Sequence, residues 1–257
     1  MEFNSSIKIV FLFLLPFAGL LVSAILGMRY GMLIKKKLSD LKDVPTRAIV
    51  GSALGIATFL LAFTFYGVSS RYEIRKDFLL DEVANIRTAY LRAGMLQEPY
   101  RSISKKGLID YVNIRLEVPR DFSKLRSAII ESQNVFEALW KNSETMAANN
   151  ISAEANSQFT SVLLDIINLH NKQITVGLYS SISDLIFWIL FTITFIAVFL
   201  LGYSYGISKK DNFIIILMFI FIYSTIIWLI LASDTPGLGF AKLNYAPMQS
   251  LYAAPQN

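Results

Sequence analysis

Glu82, Asn85, Ala89 and Arg92 recur at helical spacing and so share one side of an expected helix. Arg115 falls on the apolar face of the following helix, beside Leu108, Tyr111 and Val112. A guanidinium buried without a partner is costly, so Arg115 must meet a carboxylate. Glu82 is the expected partner, with Asp81 in reserve and Arg92 a further structural ion-pair candidate, and the pair reads as architectural rather than catalytic. His170 is the single histidine. It has the chemistry of a metal ligand or a pH switch, but a lone histidine beside an apolar face more often makes a packing hydrogen bond. With no cysteine in the chain, disulfides, thiolate metal sites and cysteine nucleophiles are excluded. Paired carboxylates with supporting geometry, a phosphate loop and a serine nucleophile elbow are all missing from the sequence. The chain is expected not to be an enzyme and to need no cofactor and no metal.

These residues sit in a chain whose charges are few and clustered. Of 257 residues, 54% are hydrophobic and 17% charged, against about 25% charged in soluble domains. The mean hydropathy is +0.49. A spanning helix needs about 20 apolar residues to cross a hydrocarbon core about 30 Å thick. Four runs meet that length without Asp, Glu, Lys or Arg: residues 10–28, 48–68, 185–203 and 213–231. None alternates polar and apolar residues as barrel strands do. The predicted fold class is all-α, a polytopic membrane protein with four transmembrane helices and a helical-bundle domain between the second and third. Its parts are a first helix pair in 1–70, a water-exposed domain in 71–180, a second pair in 181–231 and an irregular tail in 232–257. Lys8 and Val22-Ser23-Ala24 also fit a cleaved signal peptide. The apolar run, however, continues to Arg29 and Lys35-Lys36-Lys37, which suits a retained anchor. Pro16 is expected to kink the first span.

The 71–180 insert reads as amphipathic helices. The first carries Leu79, Val83, Ile86 and Tyr90; the second, near 104–118, carries Leu108, Tyr111, Val112 and Arg115 and ends at Pro119. Asp121 is the expected cap of a third, with Phe122, Leu125, Ile129, Phe136 and Trp140. Asn149-Asn150 marks a turn, and Ser152 is the expected cap of a fourth, with Phe159, Leu163, Ile166 and His170.

Within the second span, Gly51, Gly55, Thr58, Ala62, Tyr66 and Ser69 form a small, weakly polar stripe, with Phe59 and Phe63 one turn apart beside it. Two readings apply. Gly51-x-x-x-Gly55 lets helices approach closely, so packing ranks first. The second is a pore lining, with Gly55, Thr58, Phe59, Ala62, Phe63 and Tyr66 as lining or constriction candidates. Arg71, Arg75 and Lys76 then stand at a pore mouth as basic residues, or serve as interfacial anchors. With no ionisable group inside a span, ion-coupled transport and voltage sensing are disfavoured, while a passive channel is not.

The net charge is +5. In a membrane chain basic loops reflect topology and anionic headgroups, so nucleic acid is not an expected partner. Arg29, Lys35, Lys36, Lys37, Lys42 and Arg47 in the first loop, and Lys209 and Lys210 in the last, place the domain weakly on the extracytoplasmic side. Arg71, Arg75 and Lys76 narrow that contrast.

The segments Gly51–Gly55, Leu61–Thr64, Ser70–Lys76 and above all Asp81–Ala93 carry a family resemblance. So do Tyr111 with Arg115, Leu139-Trp140, Asn168 with His170, Trp188, and Asp234–Gly239 before Pro247. Together they resemble the bestrophin-like family of bacterial membrane proteins, distantly similar to bestrophin ion channels. Two departures stand out: Gln173 or Lys172 falls where a basic residue follows His170 in the pattern, and no proline lies near Ser183. The resemblance implies a multi-pass protein of the bacterial inner membrane and a homo-oligomer, pentameric by analogy, whose second span lines a hydrophobic neck that passes ions. It also implies a cytoplasmic domain, opposite to the charge count. The competing expectation is a membrane-anchored sensory or scaffold protein whose helical domain binds a ligand or partner protein.

Overall fold

The computed structural model describes residues 2–37, 46–119, 121–179, 184–208, 213–234 and 243–253. Among them the regular structure is entirely helical. In chain order the helices are α1 (Glu2–Lys37), α2 (Thr46–Ala93), α3 (Tyr100–Glu117), a 3-10 turn (Phe122–Lys124), α4 (Leu125–Ala148), α5 (Ala153–Tyr179), α6 (Asp184–Ser208), α7 (Phe213–Asp234) and α8 (Ala246–Ala253). Four of them, α1, α2, α6 and α7, are long and apolar enough to cross a membrane. Two outrun their apolar segments. The backbone ladder needs no apolar side chain, so α2 continues past residue 68 through a stretch without Gly or Pro until Gly94.

The chain forms two compact units: Met1–Tyr72 with Ser181–Ala241, and Glu73–Ser180 with Lys242–Asn257. In the first, Leu20 and Ala24 of α1, Leu61 of α2, Val198 of α6 and Ile220 of α7 are buried in one apolar core. α1 runs without a break through Pro16 and through Val22-Ser23-Ala24, where the Ser23 hydroxyl donates to the Phe195 carbonyl at 2.7 Å. The closest approach in this unit is between α1 and α6. A Cβ on Gly27 would overlap the backbone of Phe199, and one on Gly31 that of Tyr203. Reciprocally, a Cβ on Gly202 would overlap the backbone of Ala24, and one on Gly206 that of Met28. Two small-x-x-x-small faces thus press backbone to backbone, which gains dispersion contact where lipid offers no hydrophobic drive. Lys35 donates to the Ile207 carbonyl in the last turn of α6, where the helix dipole favours a cation.

The second unit buries the faces read from periodicity: Leu79 and Ile86 of α2, Leu108, Tyr111 and Val112 of α3, Phe136 and Leu139 of α4, and Phe159, Leu163 and Ile166 of α5. A glycine permits the α3–α4 approach, since a Cβ on Gly107 would crowd Leu139 at 2.7 Å. Asp121, the expected cap of the third helix, instead accepts hydrogen bonds from the Ser123 N–H (3.1 Å) and hydroxyl (2.7 Å) at the 3-10 turn, and α4 starts at Leu125 after Lys124, with no side-chain cap. The Phe122 side chain lies outside the described residues. Asn150 and Ser152 both take positive φ, 53° and 47°, in the turn before α5. Ser152, the expected cap, accepts the Asn156 N–H through its backbone carbonyl at 2.7 Å.

One boundary needs correction. The tail expected to run irregularly from 232 contains a helix, α8, whose Met248 is fully buried in the core of the second unit, with Tyr245 and Leu251 packed against it. Three apolar side chains at helical spacing too short to span anything still suffice to dock on an existing core. α7 also ends at Asp234, three residues later than the apolar run. Lys209, Lys210, Ser183 and the residues from 235 to 242 lie outside the described residues.

Candidate functional site

The second unit holds a buried polar cluster built by α2, α3 and α5. Glu82 is fully buried, and Arg115 is nearly so. The guanidinium grips the carboxylate in a fork, Nε to Oε1 at 3.2 Å and Nη2 to Oε2 at 3.1 Å. The expected ion pair is present, and Asp81 is exposed and outside it. The Tyr111 hydroxyl donates to Glu82 Oε1, and the Gln173 amide donates to Oε2 at 2.9 Å. Both carboxylate oxygens therefore receive two donors, which fills their lone pairs.

Gln173 completes the cluster. Its amide nitrogen serves Glu82 and the Phe78 carbonyl (3.1 Å), while its amide oxygen accepts from Arg115. A lysine here has no acceptor for Arg115 and would add a second cation. Lys172 is exposed.

His170 is buried beside this pair, its ring in edge contact with Tyr111 and Phe136 at centroid distances of 5.7 and 5.3 Å. Its Nδ1 lies 3.1 Å from the Tyr111 hydroxyl. Because the Tyr111 proton is given to Glu82, Nδ1–H must be the donor, which fixes the neutral tautomer. Nε2 is buried and has no hydrogen-bond partner among the described residues. Burial first, and the nearby Arg115 charge second, push the His170 pKa down to about 4, with Glu82 opposing. The same burial and the Glu82 charge push the Tyr111 hydroxyl well above its usual range. The cluster thus holds one anion, one cation and two neutral aromatics, a set that orders helices and offers no titrating base near neutral pH.

That arrangement sets a pH dependence. The unfolded chain binds a proton on His170 below about pH 6.5, whereas the folded chain resists it down to about pH 4. Its contribution to stability is complete above pH 6.5 and is lost as pH falls from there to about 4, by roughly 3 kcal/mol at most. Thermal melts of the parent and of His170→Asn at pH 7 and pH 4.5 test this. The variant should lose less stability on acidification, and an unchanged loss would assign the effect elsewhere.

Arg92, grouped with Glu82 and Arg115 in the sequence, stands apart from them. Its guanidinium donates to the Gln158 carbonyl of α5 at 2.6 Å, tying two helices of the same unit.

The spanning part of α2 presents the second candidate site. Phe59, Phe63 and Tyr66 are 69%, 68% and 71% exposed, and Gly55 and Ala62 are exposed between them. A Cβ on Gly51 or Gly55 meets nothing within 4 Å, so these two glycines make no close approach to the other described residues. Thr58 differs from its neighbours: its hydroxyl lies 2.6 Å from that of Tyr223 of α7, and both reach the Leu54 carbonyl. It is engaged inside the spanning unit. At the end of this segment Arg71 pairs with Asp234 at 3.2 Å, and Lys76 pairs with Glu73 at 3.2 Å. Arg75 is half-buried.

Comparison with known proteins gives no relative. The chain matches no family model, no curated protein and no solved structure. Sequence reasoning missed the Gly27–Gly31 and Gly202–Gly206 pair, although both carry the same small-x-x-x-small signal as Gly51–Gly55.

Proposed function

We propose that the chain is one subunit of a bestrophin-like, homo-oligomeric, channel-like pore in a bacterial inner membrane, with α2 facing the axis. The observation that carries this reading is the uncovered face of α2. Lipid-facing positions elsewhere are large and apolar, such as Phe11, Leu14 and Leu15 of α1 and Ile214, Ile215 and Met218 of α7. The α2 face instead mixes Gly51, Ser52, Gly55 and Ala62 with Phe59, Phe63 and Tyr66, all exposed. Small residues give lipid little to grip and suit a neighbouring helix or a water path, while paired phenylalanines suit a constriction that gates by dewetting. A five-fold ring follows from the family resemblance and not from this geometry.

Imaging of the detergent-purified chain, with conductance recorded after reconstitution into bilayers, tests the reading. A symmetric ring with α2 at its axis and a conductance raised severalfold by Phe63→Ala supports it. A monomer or dimer without an axial opening rejects it. The latter outcome would favour the second reading, a membrane-anchored sensory or scaffold protein whose helical domain binds a ligand or partner protein.

A further inference from the structure

Among the described residues α2 is the least closely packed helix of the spanning unit. Of its apolar segment 17% is buried, against 28% in α1 and α6 and 33% in α7. Ala57, Leu61 and Val68 bury one face in the common core. Its backbone, however, makes no extended close approach to another helix of the kind that joins α1 to α6. Apolar side chains in a membrane slide past one another at little cost, because lipid competes equally for them. Directional contacts must therefore fix how α2 is turned about its axis.

Two polar ties to α7 do so. Within the spanning segment, the hydroxyl of the buried Tyr223 lies 2.6 Å from Thr58 Oγ1. The Leu54 carbonyl is within reach of both, at 3.1 Å from Tyr223 and 2.8 Å from Thr58. Each hydroxyl has one proton, so one donates to the carbonyl and the other to its partner's oxygen. At the end of the segment, Arg71 Nη2 meets Asp234 Oδ1 at 3.2 Å, with both side chains mostly covered. Between the ties α2 rises about 20 Å and α7 about 16 Å, so the two parallel helices are clamped at two levels. Arg71 also lies about 140° around an ideal helix from Thr58, which opposes turning in either direction. Opposite the buried face stand Phe59, Phe63 and Tyr66, all exposed.

We propose that the Thr58–Tyr223 and Arg71–Asp234 ties form a latch that holds α2 in the rotation placing Phe59 and Phe63 on its uncovered face. When both ties are broken, α2 turns or tilts against α7. The latch itself follows from the packing of one chain. Its consequence for conduction rests on the pore reading above: the latch keeps the phenylalanine constriction closed, and release opens it. Arg71 then acts as a positioning residue through α7 and not as part of a basic ring.

Spin labels measure the movement directly, and a chain without cysteine carries them without background. Gly67→Cys on α2 and Met218→Cys on α7 take the labels; both positions are exposed, and a Cβ on Gly67 meets nothing within 4 Å. Distances are read in the full chain in detergent, with labelled copies diluted by unlabelled ones. The double variant Tyr223→Phe with Asp234→Ala should broaden the distribution seen in the parent. Thr58→Val with Asp234→Ala severs the same ties from the other side and should do likewise. Labels at Val22 and Ile196, exposed on α1 and α6, should keep the parent distribution. An unchanged Gly67–Met218 distribution in both double variants overturns the proposal. So does equal broadening between α1 and α6, which would mean that the whole unit had loosened. After reconstitution into bilayers, the double variants should raise the conductance severalfold, and an unchanged conductance in a conducting parent overturns the latch as a gate. A parent that never conducts rejects the pore reading instead, while the distances still decide the latch.

Discussion

Replacing Glu82 with glutamine is expected to destabilise the protein by about 3–5 kcal/mol, read as an unfolding midpoint shift of the full chain in detergent. The large figure follows from what is left behind. Arg115 would keep its charge in a site where, among the described residues, its salt-bridge partner is Glu82, and burial offers it no water. Arg115→Gln should cost a similar amount, because the fully buried carboxylate would then rely on Tyr111 and Gln173 alone. Removing both charges together distinguishes an uncompensated charge from simple loss of packing. Glu82→Leu with Arg115→Met should recover most of the loss, since apolar replacement of a whole buried pair is often neutral. If either single variant melted with the parent, the pair would not hold α2 and α3 as described.

Gly202→Leu should be nearly as damaging, by about 1–3 kcal/mol or more, through the opposite mechanism. Its Cβ would overlap the Ala24 backbone, and no rotamer change relieves a clash with a carbonyl. α1 and α6 would have to part along the whole Gly27–Gly31 and Gly202–Gly206 crossing. Gly27→Leu should reproduce the effect from the other side. Gly51→Ala and Gly55→Ala provide the contrast, because their added methyl groups meet nothing within the chain. They should leave the melting temperature of the chain unchanged. An altered oligomer distribution in those variants, measured by light scattering, would mark α2 as a contact between copies. A parent-like melt for Gly202→Leu would refute the close crossing.

Much of the fold was legible in the sequence. Uncharged runs longer than the hydrocarbon core must be helical, because an unpaired backbone amide in lipid costs too much for anything but a helix or a closed barrel. The amphipathic faces of the helical domain followed from spacing, since burial of one side chain obliges its neighbours at i+3 and i+4 to share that burial. The Glu82–Arg115 pair followed from the same logic applied to charge: an arginine on an apolar face implies a carboxylate opposite. Gln173 could have been found in advance by asking what fills the remaining lone pairs of a buried carboxylate.

Three matters were decided only by tertiary structure. Three small-x-x-x-small motifs look alike along the chain, yet Gly27–Gly31 and Gly202–Gly206 bring α1 onto α6, while a Cβ on Gly51 or Gly55 meets nothing within 4 Å among the described residues. The difference lies in how each helix is rotated about its axis, which local sequence does not encode. The partition of polar groups was likewise hidden: Arg92 serves a backbone carbonyl, Thr58 a tyrosine, and the His170 tautomer is set by where Tyr111 sends its proton. The C-terminal tail was read as irregular because a helix of eight residues carries too little periodicity to announce itself, and its apolar face acquires meaning only when a distant core is present to receive Met248. Sequence alone determined which segments leave water, since that depends on the transfer of individual side chains. Which faces meet afterwards was settled by the fold, because contact depends on residues far apart in the chain.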